Sequence, residues 1–313
     1  MEPSESAWRI LLHAAAVAAA LDGEGRAVGF RARDAAELLP VTPDDPGAVL
    51  IWHPGFGWES RLPPDDPRAA LVDLYLPICG ATPARPITIG HLGQSLDGFI
   101  ATLTGDSQFV TGAANIVHLH RLRALSDAVI VGAGTVAADD PQLTTRHVSG
   151  QNALRVVFDP TRRLSDDYRI FNDHEAPTLY VCAQSLIRAG ETHVGSAAIV
   201  TFDAAEPGHE VKQLLALLRA RQCARIFVEG GGVTVSAFLE ANLLDRLHVA
   251  IAPLIIGDGR AAIRLVPHAN LRDCLRPRYR VFRMGGDVLF DCELNTQADA
   301  SGPPSPDIVM RVI

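Results

Sequence analysis

The chain has 313 residues, enough for one large core or two unequal ones. Its 48% hydrophobic and 20% charged residues exclude wholesale disorder. A formal charge of −8 and only 6% aromatic residues argue against nucleic acid or an anionic membrane as partner, since those surfaces call for basic patches and stacking rings.

Residues 7–21 are apolar and Ala-rich and predict a helix, with Ser4 or Ser6 as N-cap and Gly23 near its stop. The residues ahead of it are acidic, and Arg9 and His13 interrupt the run, so it reads neither as a secretory signal nor as a membrane span. Five cysteines without a C-x-x-C pair read as reduced, buried thiols in the cytoplasm, with no metal site. Ten prolines between positions 40 and 86 forbid long regular elements there. Short pieces remain, a strand at 48–52 and a helix at 67–76, and residues 1–85 read as a small accessory region of unknown role.

From Pro86 the pattern alternates. Strands are predicted at 86–92, 127–132, 154–159, 178–182, 198–202, 225–228 and 245–256. Helices are predicted at 111–125, with Thr111 as N-cap and Ile116, Leu119, Leu122 and Leu125 along one side, and at 211–221 and 233–241. Strands at 279–284 and 287–294 flank Gly285-Gly286, a hairpin signal. This order predicts a mixed α/β sheet covered by helices, spanning 86–294 and closing with a hairpin. Residues 295–313 are expected to form a mobile tail, with 308–313 able to dock as a short strand.

Three segments carry chemistry. Gly93-Gln94-Ser95-Leu96-Asp97-Gly98, followed by 104–112, offers hydroxyls and main-chain amides suited to a polyol or phosphate, or else a plain turn at Asp97-Gly98. Val131-Gly132-Ala133-Gly134-Thr135, running to Asp139-Asp140-Pro141, is a strand entering glycines; G-x-G-x-x-G is not completed, so a Rossmann fingerprint is not supported. Glu229-Gly230-Gly231-Gly232 spends three consecutive glycines, which a pyrophosphate at a helix start would explain.

In order, S-L-D-G-x-I-A at 95–101, G-D-S-x-F-x-T-G at 105–112, the run from His120 to Arg146, E-G-G-G at 229–232 and A-P-L-I-I-G at 252–257 resemble the reductase domain of bacterial riboflavin biosynthesis. That resemblance implies a dihydrofolate-reductase-like fold, a homodimer, and NADPH-dependent reduction of the ribosyl C1′ of 5-amino-6-(5-phosphoribosylamino)uracil. It places Ser107, Arg123, Leu143, Arg146 and Glu229 at substrate positions, with Arg123 and Arg146 on the 5′-phosphate and Glu229 on ribose hydroxyls. Phe109, Gly132, Thr135, Asp139, Pro160 and the turn at 231–237, including Gly231, Gly232, Val233, Thr234 and Val235, fall at cofactor positions. Arg162 and Arg163 are partners for a 2′-phosphate, and Asp139 manages a proton near the reacting carbon, which would ask for burial.

The chain departs from the family at Phe109, where tryptophan is common, and at Gln94, where many members carry lysine. The H-x-E and P-C-x-x-C pattern of the family's zinc deaminase is missing, since Ala-Ala-Ala follows His13 and Cys79 stands alone. Two other readings stay open: a reductase of a pterin-like or specialised heterocycle, and a nucleotide-binding subunit without turnover.

Overall fold

The computed structural model describes residues 2–33, 37–108, 110–203 and 208–297. The described residues divide into two compact units, those up to 87 with 222–225, and those of 88–221 with those from 226 on.

The first unit has more regular structure than its prolines suggest. Helix α1 (Pro3–Glu24) starts on a proline and has no side-chain cap. The pre-set φ of Pro3 serves where a serine cap was expected. Gly23 lies inside the helix, and Gly25, in left-handed backbone at φ 66°, ends it. Strands β1 (Val28–Arg33), β2 (Glu37–Val41), β3 (Leu50–His53) and β4 (Gly57–Ser60) form an antiparallel sheet in the order β2-β1-β3-β4. Helix α2 (Ala69–Cys79) begins two residues after the expected proline and tolerates Pro77 in its last turn. Trp8 meets Tyr75 edge-on at 5.8 Å, and Trp52 meets Trp58 at 5.1 Å. Asp22 accepts from Thr82 Oγ1 at 2.8 Å and from Arg85 Nη2 at 2.9 Å, tying the end of α1 to the chain beyond α2.

The second unit is built on a ten-stranded sheet. Its strands are β5 (Ile87–Ser95), β7 (Ala128–Gly132), β8 (Leu154–Phe158), β9 (Thr178–Ala183), β10 (His193–Val194), β11 (Ala197–Phe202), β12 (Arg225–Glu229), β13 (Arg246–Ala252), β15 (Pro277–Met284) and β16 (Asp287–Gln297). They lie in the order β10-β11-β9-β8-β7-β12-β5-β13-β16-β15, while β6 (Phe99–Thr102) and β14 (Gly259–Ala261) pair apart. The helices are α3 (Ala113–Leu125), α4 (Ala133–Asp139), α5 (His209–Ala220) and α6 (Gly232–Glu240). The central strands carry continuous apolar runs because both their faces are covered; β7 is buried at all five positions. This is the mixed α/β sheet with a closing hairpin that the alternation predicts.

Several local expectations change. Thr111 does not cap α3; Gly112 stands at the N-cap, and Thr111 Oγ1 accepts from Asn115 Nδ2 at 2.9 Å. The buried side of α3 is Asn115, His118, His120, Leu122, Arg123 and Leu125, whereas Ile116 is exposed. Strand β13 stops at Ala252, where the chain turns away and the amides of Ile256 and Gly257 donate to Asp97. Strand β16 runs three residues beyond 294, and the rest of the expected tail, 298–313, lies outside the described residues.

The core under α3 is partly polar. His91, His118, His248 and Asp291 are all buried; His118 Nε2 is 3.1 Å from His248 Nδ1, and His248 Nε2 is 3.2 Å from Asp291. Burial raises the Asp291 pKa, but His248 and Arg246 outweigh it and hold the carboxyl well below its usual range. No described helix is long and apolar enough to cross a membrane. Among the described residues, no group of three or more His, Cys, Asp or Glu could hold a metal.

Candidate functional site

Strands β7, β8 and β12 are parallel neighbours, so their carboxyl ends open on one side of the sheet, where ligands of open α/β sheets gather. Two glycine segments meet there. A Cβ on Gly231 would stand 2.8 Å from Thr135 Oγ1, and one on Gly132 would stand 2.1 Å from Thr234 Oγ1. The exits of β7 and β12 therefore pack against each other, glycine against threonine.

This gives the three glycines a physical account that the sequence alone lacks. Gly230 and Gly231 take left-handed backbone, at φ 74° and 43°, which other residues enter at a cost. Gly232 is required for another reason, since its Cβ would meet the Ala262 carbonyl oxygen at 2.3 Å. The expected glycine loop at 132–135 is a helix instead: Gly132 is extended, and α4 starts at Ala133.

The cofactor candidates consequently separate. Gly132, Gly232, Thr234 and Val235 are buried in packing, whereas Val233, in the first turn of α6, is 83% exposed. Thr135, Pro160 and Gly231 are half-buried, and Asp139 is exposed. Asp139 therefore lacks the burial that an acid role would ask for. It accepts from Ser107 Oγ at 3.3 Å, which joins a substrate candidate to a cofactor candidate. Phe109 lies outside the described residues. Arg162 points away, onto Glu191 and the Leu186 carbonyl, whereas the exposed Arg163 sends Nη2 toward Gly134.

The first segment has a structural duty. Asp97 accepts from Ser95 Oγ at 2.5 Å and from the Gly257 amide at 2.7 Å. The Ser95 hydroxyl first, then the Gly257 amide, hold its carboxyl down at about 2. The turn at Asp97-Gly98 thus anchors the chain after β13.

The substrate candidates gather around a loop of residues 140–146. Arg123 and Glu229 are both buried and engage each other: Arg123 Nε donates to Glu229 Oε2 at 2.7 Å, and Nη2 donates to Oε1. The Nη1 of Arg123 donates to the Thr144 carbonyl at 3.0 Å. The two residues expected on a phosphate and on ribose thus form a bidentate pair with each other. Arg146 is exposed, with Nη1 2.5 Å from Thr144 Oγ1. Partial burial, then Arg123 and Arg169, disfavour its charge, so an arriving anion would relieve repulsion there. Leu143 is buried and holds left-handed backbone at φ 53°.

Sequence reasoning missed Arg155, His120 and Arg169, which all touch this loop. One signal was available, since an arginine inside the apolar strand Leu154–Phe158 asks for a buried partner. The contacts of His120 and Arg169 are long-range and leave no mark in local spacing.

Comparison with known proteins bears on the whole unit. Residues 86–281 match the model of the RibD C-terminal domain. The chain is 34% identical over 216 residues to the 2,5-diamino-6-ribosylamino-4(3H)-pyrimidinone 5′-phosphate reductase of Methanothermobacter thermautotrophicus, covering 66% of this chain and 97% of that one. It is 33% identical over 179 residues to the riboflavin biosynthesis protein RibD of Aquifex aeolicus, covering 57% of this chain and 49% of that one. The chain thus spans about half the length of the RibD relatives that it matches. The crystal structure of a Thermotoga maritima diaminohydroxyphosphoribosylaminopyrimidine deaminase/5-amino-6-(5-phosphoribosylamino)uracil reductase is similar in fold. Its TM-score is 0.56 at 26% identity, over 67% of this chain and 57% of that one.

Proposed function

Because the chain belongs to the RibD C-terminal domain family, we propose that it reduces the ribosyl C1′ of 5-amino-6-(5-phosphoribosylamino)uracil to an open ribityl chain in riboflavin biosynthesis. NADPH is the proposed cofactor, and the working form is read as a cytoplasmic homodimer. The observation that carries the reading is the meeting of the β7 and β12 exits, where Thr135 lies against Gly231, with Ser107 bonded to Asp139 at the end of α4.

The residues present fit a dinucleotide. Helix α6 has nine residues; the Thr234 amide already donates to the Gly231 carbonyl at 3.0 Å, and the first-turn amides ahead of it, which have no place in the helix ladder, would face a pyrophosphate. The exposed Val233 offers an apolar surface beside it. When bound, the nicotinamide supplies the hydride that C1′ receives. The chain's own residues align the partners and exclude water. Arg146 holds the 5′-phosphate, Ser107 and Asp139 steer hydroxyls at the sugar, and Arg163 faces a 2′-phosphate. Arg162, committed to Glu191, leaves that role to Arg163.

A second substrate has specific support. The Methanothermobacter relative is named for a 2,5-diamino-pyrimidinone with the same ribosylamino 5′-phosphate. Both pyrimidines, with and without phosphate, should be assayed for loss of reduced-nicotinamide absorbance. Turnover of at least one phosphorylated compound is expected. Arg146→Ala should raise its KM roughly tenfold or more while the NADPH KM changes little. No turnover of either, or equal losses for substrate and cofactor, would refute the assignment.

A further inference from the structure

Besides local bonds, the main chain of residues 140–146 is tied at every second position by a side chain from 13 or more residues away. The Asp140 carbonyl accepts from Arg169 Nη2 at 2.6 Å. The Gln142 carbonyl accepts from Arg155 Nη1 at 3.0 Å, and the Thr144 carbonyl from Arg123 Nη1, also at 3.0 Å. The Arg146 amide donates to His120 Nδ1 at 2.9 Å. Each arginine is itself anchored to a carboxylate: Arg169 to Asp140, Arg155 to Asp173 and Arg123 to Glu229.

The ties hold a backbone that would not persist unaided. Asp140 and Leu143 both occupy left-handed φ, at 39° and 53°, without being glycine. Such strain survives only where surrounding contacts over-determine it, and it concentrates at functional sites. The end of this stretch is Arg146, whose exposed guanidinium stands beside Arg123 and Arg169.

Arg155 is the least replaceable clamp. Its side chain is fully buried, and it spends Nε on Thr178 Oγ1, Nη2 on the Ala176 carbonyl and Nη1 on Asp173 and Gln142. A lysine could satisfy Asp173 but not that planar fork. His120 is buried too, and its Nδ1 can accept an amide only while unprotonated.

We propose that Arg155 and His120 are positioning residues for phosphate recognition: they fix the arm at 140–146 so that Arg146 meets the substrate's phosphate. The inference rests on the proposed function, whose phosphorylated substrate it deepens. Neither residue touches substrate; both act through the arm's main chain.

The test compares Arg155→Lys, His120→Leu and His120→Asn with the unaltered chain on a ribosylaminopyrimidine, with and without its 5′-phosphate. Asn keeps an acceptor near the place of Nδ1, and Leu does not. Arg155→Lys and His120→Leu should raise KM for the phosphorylated compound roughly tenfold or more. The dephosphorylated KM, the kcat and the NADPH Kd followed by the cofactor's own fluorescence should stay close to those of the unaltered chain. His120→Asn should restore most of the selectivity. If Arg155→Lys fails to fold, the Leu and Asn pair at His120 decides alone. Folded variants that still discriminate, or that lose both substrates equally, overturn this inference and spare the proposed function. An unaltered chain indifferent to the phosphate takes down both.

Discussion

Gly230 and Gly231 enter left-handed backbone with no side chain to resist it, whereas Asp140 and Leu143 enter it against the preference of theirs. The first pair lies on the side where we place the cofactor, and the second on the side where we place the substrate's phosphate. On one side the shape is written into the local chain, and threonines fill the space that the glycines leave. On the other, strain of about 1–3 kcal/mol per residue is held by guanidinium groups arriving from α3, β8 and the turn near Arg169. A site of the first kind tolerates surface change near it. One of the second kind depends on distant buried charges, so damage to it should spread into stability.

The largest effect should therefore come from Glu229→Ala. It leaves Arg123 buried without its carboxylate, and removing one partner of a buried pair costs about 3–5 kcal/mol. The urea midpoint should fall accordingly, with turnover lost in the remaining folded fraction. A change below about 1 kcal/mol would mean that the pair behaves as an exposed one and that the arm does not depend on it.

Val233→Asp probes the other side without disturbing packing, since Val233 is 83% exposed. A carboxylate in the first turn of α6 suits the helix dipole and should leave the melting temperature unchanged or slightly higher. The same charge repels a pyrophosphate at that turn. The Kd for NADPH should rise about tenfold, or about 1.4 kcal/mol. This is a cleaner test than a change at Gly231, where any Cβ also crowds Thr135. An unchanged Kd would move the dinucleotide away from α6.

The same contrast explains what could be read from the sequence. The glycine exits, the strand order's alternation and the closing hairpin are local signals, and the fold follows them to within a few residues. Composition misled in the first unit, where prolines mask a four-stranded sheet because they sit at strand ends and turns and at Pro40 in the short β2. Family order put both Arg123 and Glu229 at substrate positions. It could not show that they bond each other, because that contact joins residues 106 apart in the chain. The clamps of Arg155, Arg169 and His120 were invisible for the same reason, apart from the odd placing of Arg155 in an apolar strand.

The smallest effect is a pH slope, and it reports on the arm directly. Burial first, then the nearby Arg123, His147 and Arg146, push the His120 pKa down to about 3 from an ordinary 6.5. Between those values the unfolded chain binds a proton that the folded chain refuses. Stability from this group is thus complete above about pH 6.5 and is lost as the pH falls toward about 3. His91, likewise pushed down to about 3 by burial and then by His248, adds to the same trend. Urea midpoints measured from about pH 7 to about pH 5 should therefore fall in the unaltered chain and fall less steeply in His120→Asn. Equal slopes would mean that His120 takes up its proton within the fold. Its Nδ1 could then no longer accept the Arg146 amide, and the arm would lose its last tie at the pH where the slope appears.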